Sequence, residues 1–138
     1  MTIEGRSYRD LELWQRAMDL VVECYKAAKK FPERESYGLI SQMQRAAVSI
    51  PANVAEGQGR QHRPEFIQHL FIAKGSLTEL ETHIQIAHRL NYLNDDEECL
   101  LLKRTGEVGR LLNGLLRFLR QKNTPTENRK PTTDNSCN

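Results

Sequence analysis

The residues best suited to chemistry in this 138-residue sequence are cations that lie toward its C-terminal end. Lys103, Arg110 and Arg117 follow one another at intervals of seven residues, and Arg104 and Arg120 flank them. On a helix, an interval of seven drifts by only about 20° and separates successive charges by about 10 Å along the axis. Such a row can follow a phosphate backbone and release its counterions. The pattern predicts nucleic-acid binding by one side of a helix.

A second, looser group of cations surrounds a predicted connection between two helices. It consists of Arg45, Arg60, His62, Arg63 and Lys74. Both groups have an alternative interpretation, an ordinary solvated surface, in which Glu107 partly neutralises Lys103 and Arg110. The formal net charge of the chain is only +2, so the distribution of the charges carries the prediction.

Two carboxylate–histidine pairs are the candidates for a metal site. Glu65 precedes His69, and Glu79 precedes His83, by four residues. Di-iron helix bundles instead use Glu-x-x-His motifs, with an interval of three, together with further carboxylates. The histidines are therefore predicted to have structural or surface roles, and we expect neither a metal nor another cofactor.

One arginine–histidine pair is the candidate for catalysis. Arg63 and His69 faintly resemble the Arg-x-His pair of the HEPN ribonucleases, in which histidine acts as general acid or base and arginine holds the phosphate. Pro64, directly after the arginine, does not suit that motif. The sequence also has no P-loop, no glycine-rich dinucleotide turn and no HExxH motif. We expect a non-enzymatic protein, with a metal-independent ribonuclease as the least favoured alternative.

The composition is that of one globular domain. Apolar residues make up 38% of the chain and charged residues 28%, and the mean hydropathy is −0.63. No apolar run approaches the roughly 20 residues that span a bilayer, and residues 1–10 do not have the pattern of a secretory signal. The three cysteines are far apart and form no CxxC pair, which favours reduced thiols. A cytoplasmic protein is the expectation.

The residues that carry these charges are predicted to lie on four long helices. Proline-bearing junctions and a turn-prone Asn-Tyr-Leu-Asn segment divide the chain into helices at about 10–30, 36–59, 64–91 and 95–121. No segment alternates apolar and polar residues for long enough to form a strand. Residues 1–9 are predicted to form an N-terminal arm, residues 10–121 the helical domain, and residues 122–138 a disordered polar tail.

The apolar residues of each helix recur at intervals of three and four, which is the pattern of a helix–helix seam. In helices 2, 3 and 4 the seams are Ile40, Met43, Ala47, Ile50 and Val54; Phe66, Leu70, Ala73, Leu77, Leu80, Ile84 and Ala87; and Leu101, Thr105, Val108, Leu112, Leu115 and Leu119. Four seams of similar length with short connections predict an all-α fold, an antiparallel up-and-down four-helix bundle.

Helix 1 carries two such stripes. The first is Leu11, Trp14, Met18, Val21, Tyr25 and Ala28, and the second is Leu13, Ala17, Leu20, Cys24, Ala27 and Phe31. Together they cover more of the circumference than one bundle core requires. We expect the second stripe to be partly covered by another copy of the chain, and the alternative is an ordinary generous core with scattered exposed leucines.

One run in helix 2 resembles a known family. The residues are Arg45-Ala46-Ala47-Val48-Ser49-Ile50-Pro51-Ala52-Asn53-Val54-Ala55-Glu56-Gly57. They are similar to the bacterial four-helix-bundle proteins that are encoded in intervening sequences of large-subunit ribosomal RNA genes. The resemblance implies an up-and-down bundle that assembles into a ring, typically a pentamer. It also implies a relation to the accessory variability proteins of diversity-generating retroelements, whose basic ring holds nucleic acid and a reverse transcriptase.

The residues of that run also have a structural interpretation, which is the favoured one. Arg45, Ser49, Asn53, Glu56 and Gly57 form the motif, and its small residues allow helix 2 to approach its neighbours closely. Asn53 is predicted to satisfy carbonyl groups freed by Pro51, and Glu56 is predicted to pair with Arg60 four residues later.

The sequence thus predicts a non-enzymatic, self-assembling bundle that binds RNA, DNA or a nucleic-acid enzyme through repeated basic surfaces. A scaffold that binds only other proteins is the competing hypothesis.

Overall fold

The computed structural model describes residues 7–121, and these residues form four long α-helices. Their bounds are Glu12–Ala28 for α1, Leu39–Gln58 for α2, Arg63–Arg89 for α3 and Asp95–Gln121 for α4. Both predicted ends of α4 are confirmed, and the other predicted ends differ from the observed ones by one to three residues. The predicted tail at 122–138 and residues 1–6 of the predicted arm lie outside the described residues.

Each helix packs against the next one along the chain, and α4 returns to pack against α1. In the two diagonal pairs, α1 with α3 and α2 with α4, no Cα atoms of the described residues lie within 8 Å of each other. This arrangement confirms the antiparallel up-and-down four-helix bundle. None of the helices in the described part of the chain is long and apolar enough to cross a bilayer.

The connection between α3 and α4 is set by local hydrogen bonds. At the end of α3, the Asn91 and Tyr92 amides donate to the carbonyls of His88 and Ala87, both at 2.9 Å, and Asn91 has a φ of 65°. This is the Schellman arrangement, in which asparagine tolerates the left-handed conformation. At the start of α4, Asn94 and Glu97 exchange two backbone–side-chain bonds of 2.8 Å, which is a capping box.

The predicted seams of α2 and α3 form the centre of the core. All seven predicted seam residues of α3 are buried, and in α2 only Ile40 is left partly exposed. In α4 the predicted Leu115 is half-buried, and its neighbour Leu116 occupies the core with 4% of its area exposed. Hydrophobic periodicity therefore located these three helix faces to within one residue.

Helix α1 is rotated relative to the prediction. The stripe that was expected to face a second copy is the one that enters the core, since Leu13, Ala17, Leu20 and Cys24 are at most 4% exposed. The other stripe stays partly at the surface, with 39% of Met18 and 42% of Tyr25 exposed. The charged side of α1 lies along α4, where Arg16 is 3.8 Å from Glu107, and Lys30, just beyond the end of α1, pairs with Glu97.

The two connections at one end of the bundle are linked through Tyr92. Its hydroxyl donates to a Glu35 carboxylate oxygen at 2.8 Å, and its ring lies 5.3 Å from that of Phe31 between centroids. This hydrogen bond and one from the Leu39 amide hold the pKa of Glu35 below its ordinary value. The same hydrogen bond to Glu35 raises the pKa of Tyr92.

Tyr92→Phe should lower the free energy of unfolding in a pH-dependent way. Because the Glu35 pKa is depressed by folding, its stabilising effect is present above the ordinary carboxyl pKa and is lost as the pH falls through the folded value. Because the Tyr92 pKa is raised, its effect is present below the ordinary phenol pKa and is lost as the pH rises through the folded value. Urea unfolding of both proteins across the pH range should show a constant difference near neutrality that shrinks in acid and in alkali. A difference independent of pH would contradict the role of this bond.

Candidate nucleic-acid interface

The basic row of α4 lies on the side of the helix opposite the bundle core, where Lys103 and Arg110 are exposed and Arg117 is half-buried. Each of its cations lies nine residues from a buried leucine or valine, which corresponds to about 180° around a helix. The pairs are Lys103 with Leu112, Arg110 with Leu101, and Arg117 with Val108, and the three apolar side chains are at most 3% exposed. No acidic group of the described residues lies within 4 Å of the three cations. Glu107 forms no ion pair with Lys103 or Arg110, although it lines a cavity of about 210 Å³ together with Arg110, Glu12 and Arg16. The partial neutralisation of these two cations by Glu107 stays a prediction.

Glu107 lies on the edge of α4 that faces α1. Its carboxylate lies 3.7 Å from Arg104 and 3.8 Å from Arg16 of α1. The groove between α1 and α4 holds a cavity of about 360 Å³ whose charged lining balances three cations against three acids: Arg16, Lys26, Arg104, Asp19, Glu23 and Glu107. A balanced lining gives phosphate no net attraction, so Arg104 does not extend the row.

The second predicted group of cations is not one surface. Arg60 forms the predicted pair with Glu56, at 3.0 Å. Lys74 lies two residues before Ser76, which bonds to α2, and two residues correspond to about 200° around the helix. Lys74 therefore lies on the side of α3 that is turned away from α2, and it cannot join Arg45 of α2 in a single patch.

The fold instead places Lys74 and Arg63 beside the end of α4. Arg63, Ile67, Phe71 and Lys74 succeed one another at intervals of four, four and three, so they share one side of α3. The Arg120 guanidinium lies over the Phe71 ring, 5.7 Å from its centroid, and this contact joins that side of α3 to α4. Phe71 is absent from the predicted seam of helix 3, and a phenylalanine outside the seam was the signal in the sequence for this contact.

The motif of α2 forms a close seam with α3. Ser49, Asn53 and Gly57 follow at intervals of four along one side of α2. The Ser49 and Ser76 hydroxyls are 2.8 Å apart, and the Asn53 amide oxygen is 3.1 Å from His69 Nδ1. These polar contacts join α2 to α3 at two residues of the motif.

Asn53 does not make the predicted hydrogen bonds to carbonyl groups freed by Pro51. Its amide nitrogen donates to the Ser49 carbonyl at 2.9 Å and to the Ser49 hydroxyl at 3.1 Å. In a helix, Pro51 lacks the amide that would reach the carbonyl of Ala47, and Asn53 does not bond that group. Asn53 instead fixes the Ser49 hydroxyl in position for its contact with α3.

The candidate catalytic groups are separated by the fold. His69 faces α2, whereas Arg63 lies six residues earlier and is therefore turned by about 120° around α3.

His83 contacts only Glu79 among the acidic groups of the described residues, at 3.4 Å. Desolvation by burial, with a smaller effect of Glu23, raises the pKa of Cys24 to about 12, which keeps this thiol protonated. No cluster of three metal-ligating side chains occurs within residues 7–121.

The fold and the surface define a four-helix-bundle protein with a row of cations along one helix. The family model of the 23S rRNA-intervening sequence protein matches residues 9–114. The chain belongs to this family.

A solved structure shows the same fold. It is a protein with unknown function from the S23 ribosomal protein family of Bacteroides thetaiotaomicron, with 23% sequence identity and a TM-score of 0.68. The match covers 75% of this chain and 97% of that chain. The comparison with curated proteins gave no match.

Gly57→Ala should destabilise the bundle by about 1–3 kcal/mol, the usual cost of overpacking. An added Cβ would lie 2.7 Å from the Cβ of His69 and 3.0 Å from a ring carbon of Phe66, so α2 and α3 would have to separate. Gly75→Ala is the matched control, because its Cβ would meet nothing within 4 Å and alanine gains up to about 1 kcal/mol over glycine in a helix. Thermal or urea unfolding measures both, and equal stabilities for the two variants would contradict the close seam.

Proposed function

We propose that this protein is a non-enzymatic, self-assembling bundle that binds nucleic acid through the outward side of α4. The observation that carries the proposal is the row of Lys103, Arg110 and Arg117, which lies opposite the buried side of α4 and forms no ion pair with an acid of the described residues. Exposed cations that keep their charge available release counterions from a phosphate backbone when they bind it. The family description, which refers to an rRNA intervening sequence, is compatible with an RNA ligand.

Changing Lys103, Arg110 and Arg117 together to glutamine should remove most of the salt-sensitive binding. Each lost phosphate contact reduces the slope of log K against log salt by about 0.7 for single strands and about 0.9 for duplexes, so the total reduction should be about 2 to 3. Fluorescence anisotropy with labelled RNA and DNA over a salt series measures this slope.

The control variant removes the same charge from cations outside the row. Lys26, Lys29 and Arg89 are exposed on other helices or their ends, and changing them to glutamine should leave the slope nearly unchanged. Equal losses in the two triple variants would reduce the effect to net charge and would reject the row as the binding surface.

The self-assembly part of the proposal is supported by the apolar side of α1. Met18, Val22 and Tyr25 lie at intervals of four and three and are 39%, 49% and 42% exposed, and Val48 of α2 is 42% exposed. An apolar stripe of this length is typical of an interaction surface. We propose that a second copy of the chain covers it, in a ring such as the pentamer that the family resemblance implies, and that each copy contributes one basic row.

Val22→Glu should convert the assembly to a folded monomer, because it places a charge in the centre of the proposed contact. Ile72→Glu is the control, since Ile72 is 47% exposed on α3, away from this stripe. Light scattering coupled to size exclusion gives the mass, and circular dichroism reports the helix content. A wild-type protein that is monomeric at every concentration, or a Val22→Glu variant that still assembles, would reject the contact.

A protein-only scaffold is the second candidate function, and the same apolar stripe is the observation that favours it. Assembly without any nucleic-acid binding would support this candidate over the first.

A further inference from the structure

Phe71 is an exposed aromatic ring in a cationic setting. It keeps 44% of its area exposed although the Arg120 guanidinium lies 5.7 Å from the ring centroid. A cation over an exposed ring contributes little to stability, so packing within the bundle gives no strong reason for this pair. An exposed ring beside a guanidinium is instead a surface on which a flat, anionic ligand can stack.

The neighbouring charges are nearly all positive. The parts of the two helices that meet here, residues 63–74 of α3 and 113–121 of α4, contain four cations, Arg63, Lys74, Arg117 and Arg120. They contain one acid, Glu65, which lies two residues after Arg63 and therefore about 200° around α3 from it. This side of the groove between α3 and α4 is consequently cationic, in contrast to the balanced groove between α1 and α4.

We propose that the groove between α3 and α4 binds single-stranded nucleic acid, with one unpaired base stacked on Phe71 and the adjoining phosphates held by Arg117, Arg120 and Lys74. The inference rests on the proposed function and specifies its ligand. Bases in a duplex stack on one another and do not offer their faces to a protein side chain, whereas unpaired bases stack on aromatic rings and guanidinium groups. The charges attract any polyanion, and the ring selects the unpaired strand.

The groove continues onto the basic row of α4. Arg117 belongs to both surfaces, because it ends the row of Lys103 and Arg110 and lies three residues before Arg120. A strand whose base stacks on Phe71 can therefore extend its phosphates along the outward side of α4. The row supplies affinity that depends on salt, and the ring supplies a contribution that does not.

Phe71→Ala tests the stacking contact. Fluorescence anisotropy would compare labelled single-stranded oligoadenylate with the duplex that it forms with oligouridylate. The variant should bind the single strand about tenfold more weakly, within the range found when stacking aromatic residues are replaced by alanine. Its slope of log K against log salt should not change, and its affinity for the duplex should not change. Phe71→Tyr should restore binding of the single strand, because the ring face is retained.

Phe118→Ala is the matched control. Phe118 is 46% exposed and lies two residues before Arg120, so it is on the other side of α4. Its replacement should leave both affinities unchanged. Arg120→Gln is a second variant of the groove itself, and it should weaken binding of the single strand and lower the salt slope by about 0.7. Circular dichroism verifies the helix content of each variant.

The outcomes separate this inference from the proposed function. Salt-sensitive binding that is insensitive to Phe71→Ala, equal losses for Phe71→Ala and Phe118→Ala, or equal affinity for the single strand and the duplex would overturn the stacking site alone. Absence of salt-sensitive binding to either nucleic acid would overturn both. A selective loss of single-strand affinity in Phe71→Ala, restored by Phe71→Tyr, supports both.

Discussion

The close contact between α2 and α3 determines how the rest of the bundle is oriented. At Gly57 the two helices are near enough that a single added carbon would meet the Cβ of His69, and the bonds from Ser49 and Asn53 fix the rotation of both helices. Because one side of α3 is committed to this seam, the side with Phe71 and Lys74 is turned toward α4. The position of the cationic groove therefore follows from the packing of Gly57 of α2 against the opposite side of α3.

Ionic contacts divide the remaining surface into two kinds. Along the groove between α1 and α4, acids and bases alternate and compensate one another, as with Glu107 between Arg16 and Arg104. Surface pairs of this type add little to stability, but their opposite charges largely cancel the local electrostatic potential. The last part of α4, residues 110–121, contains three cations and no acid, and the facing residues 63–74 of α3 contain only Glu65, so the positive potential is concentrated there. Net charge would not reveal this difference, since opposite charges nearly cancel over the whole chain.

The apolar surface of α1 and the cationic side of α4 lie on different sides of the bundle. Met18 and Tyr25 lie about 180–200° around α1 from Arg16, which meets Glu107, whereas Val22 borders the groove between α1 and α4. Assembly through the stripe would therefore leave the outward side of α4 accessible in every copy. Self-association and nucleic-acid binding are compatible in this fold for that geometric reason, and weak contacts repeated around an assembly would add.

The sequence alone determined the four helices, the core sides of α2 and α3, and the up-and-down topology, because hydrophobic spacing, capping residues and short connections act locally. It also determined that Lys103, Arg110 and Arg117 share one side of α4, since an interval of seven is a property of the helix itself. Tertiary structure decided which of two adjacent apolar stripes of α1 enters the core, because both satisfy helical periodicity and only packing against α2 and α4 distinguishes them. It likewise decided which acid compensates which base, and it joined Lys74, Phe71 and Arg120, which come from two helices. Those relations depend on the rotation and register of neighbouring helices, and no local pattern in a chain encodes them.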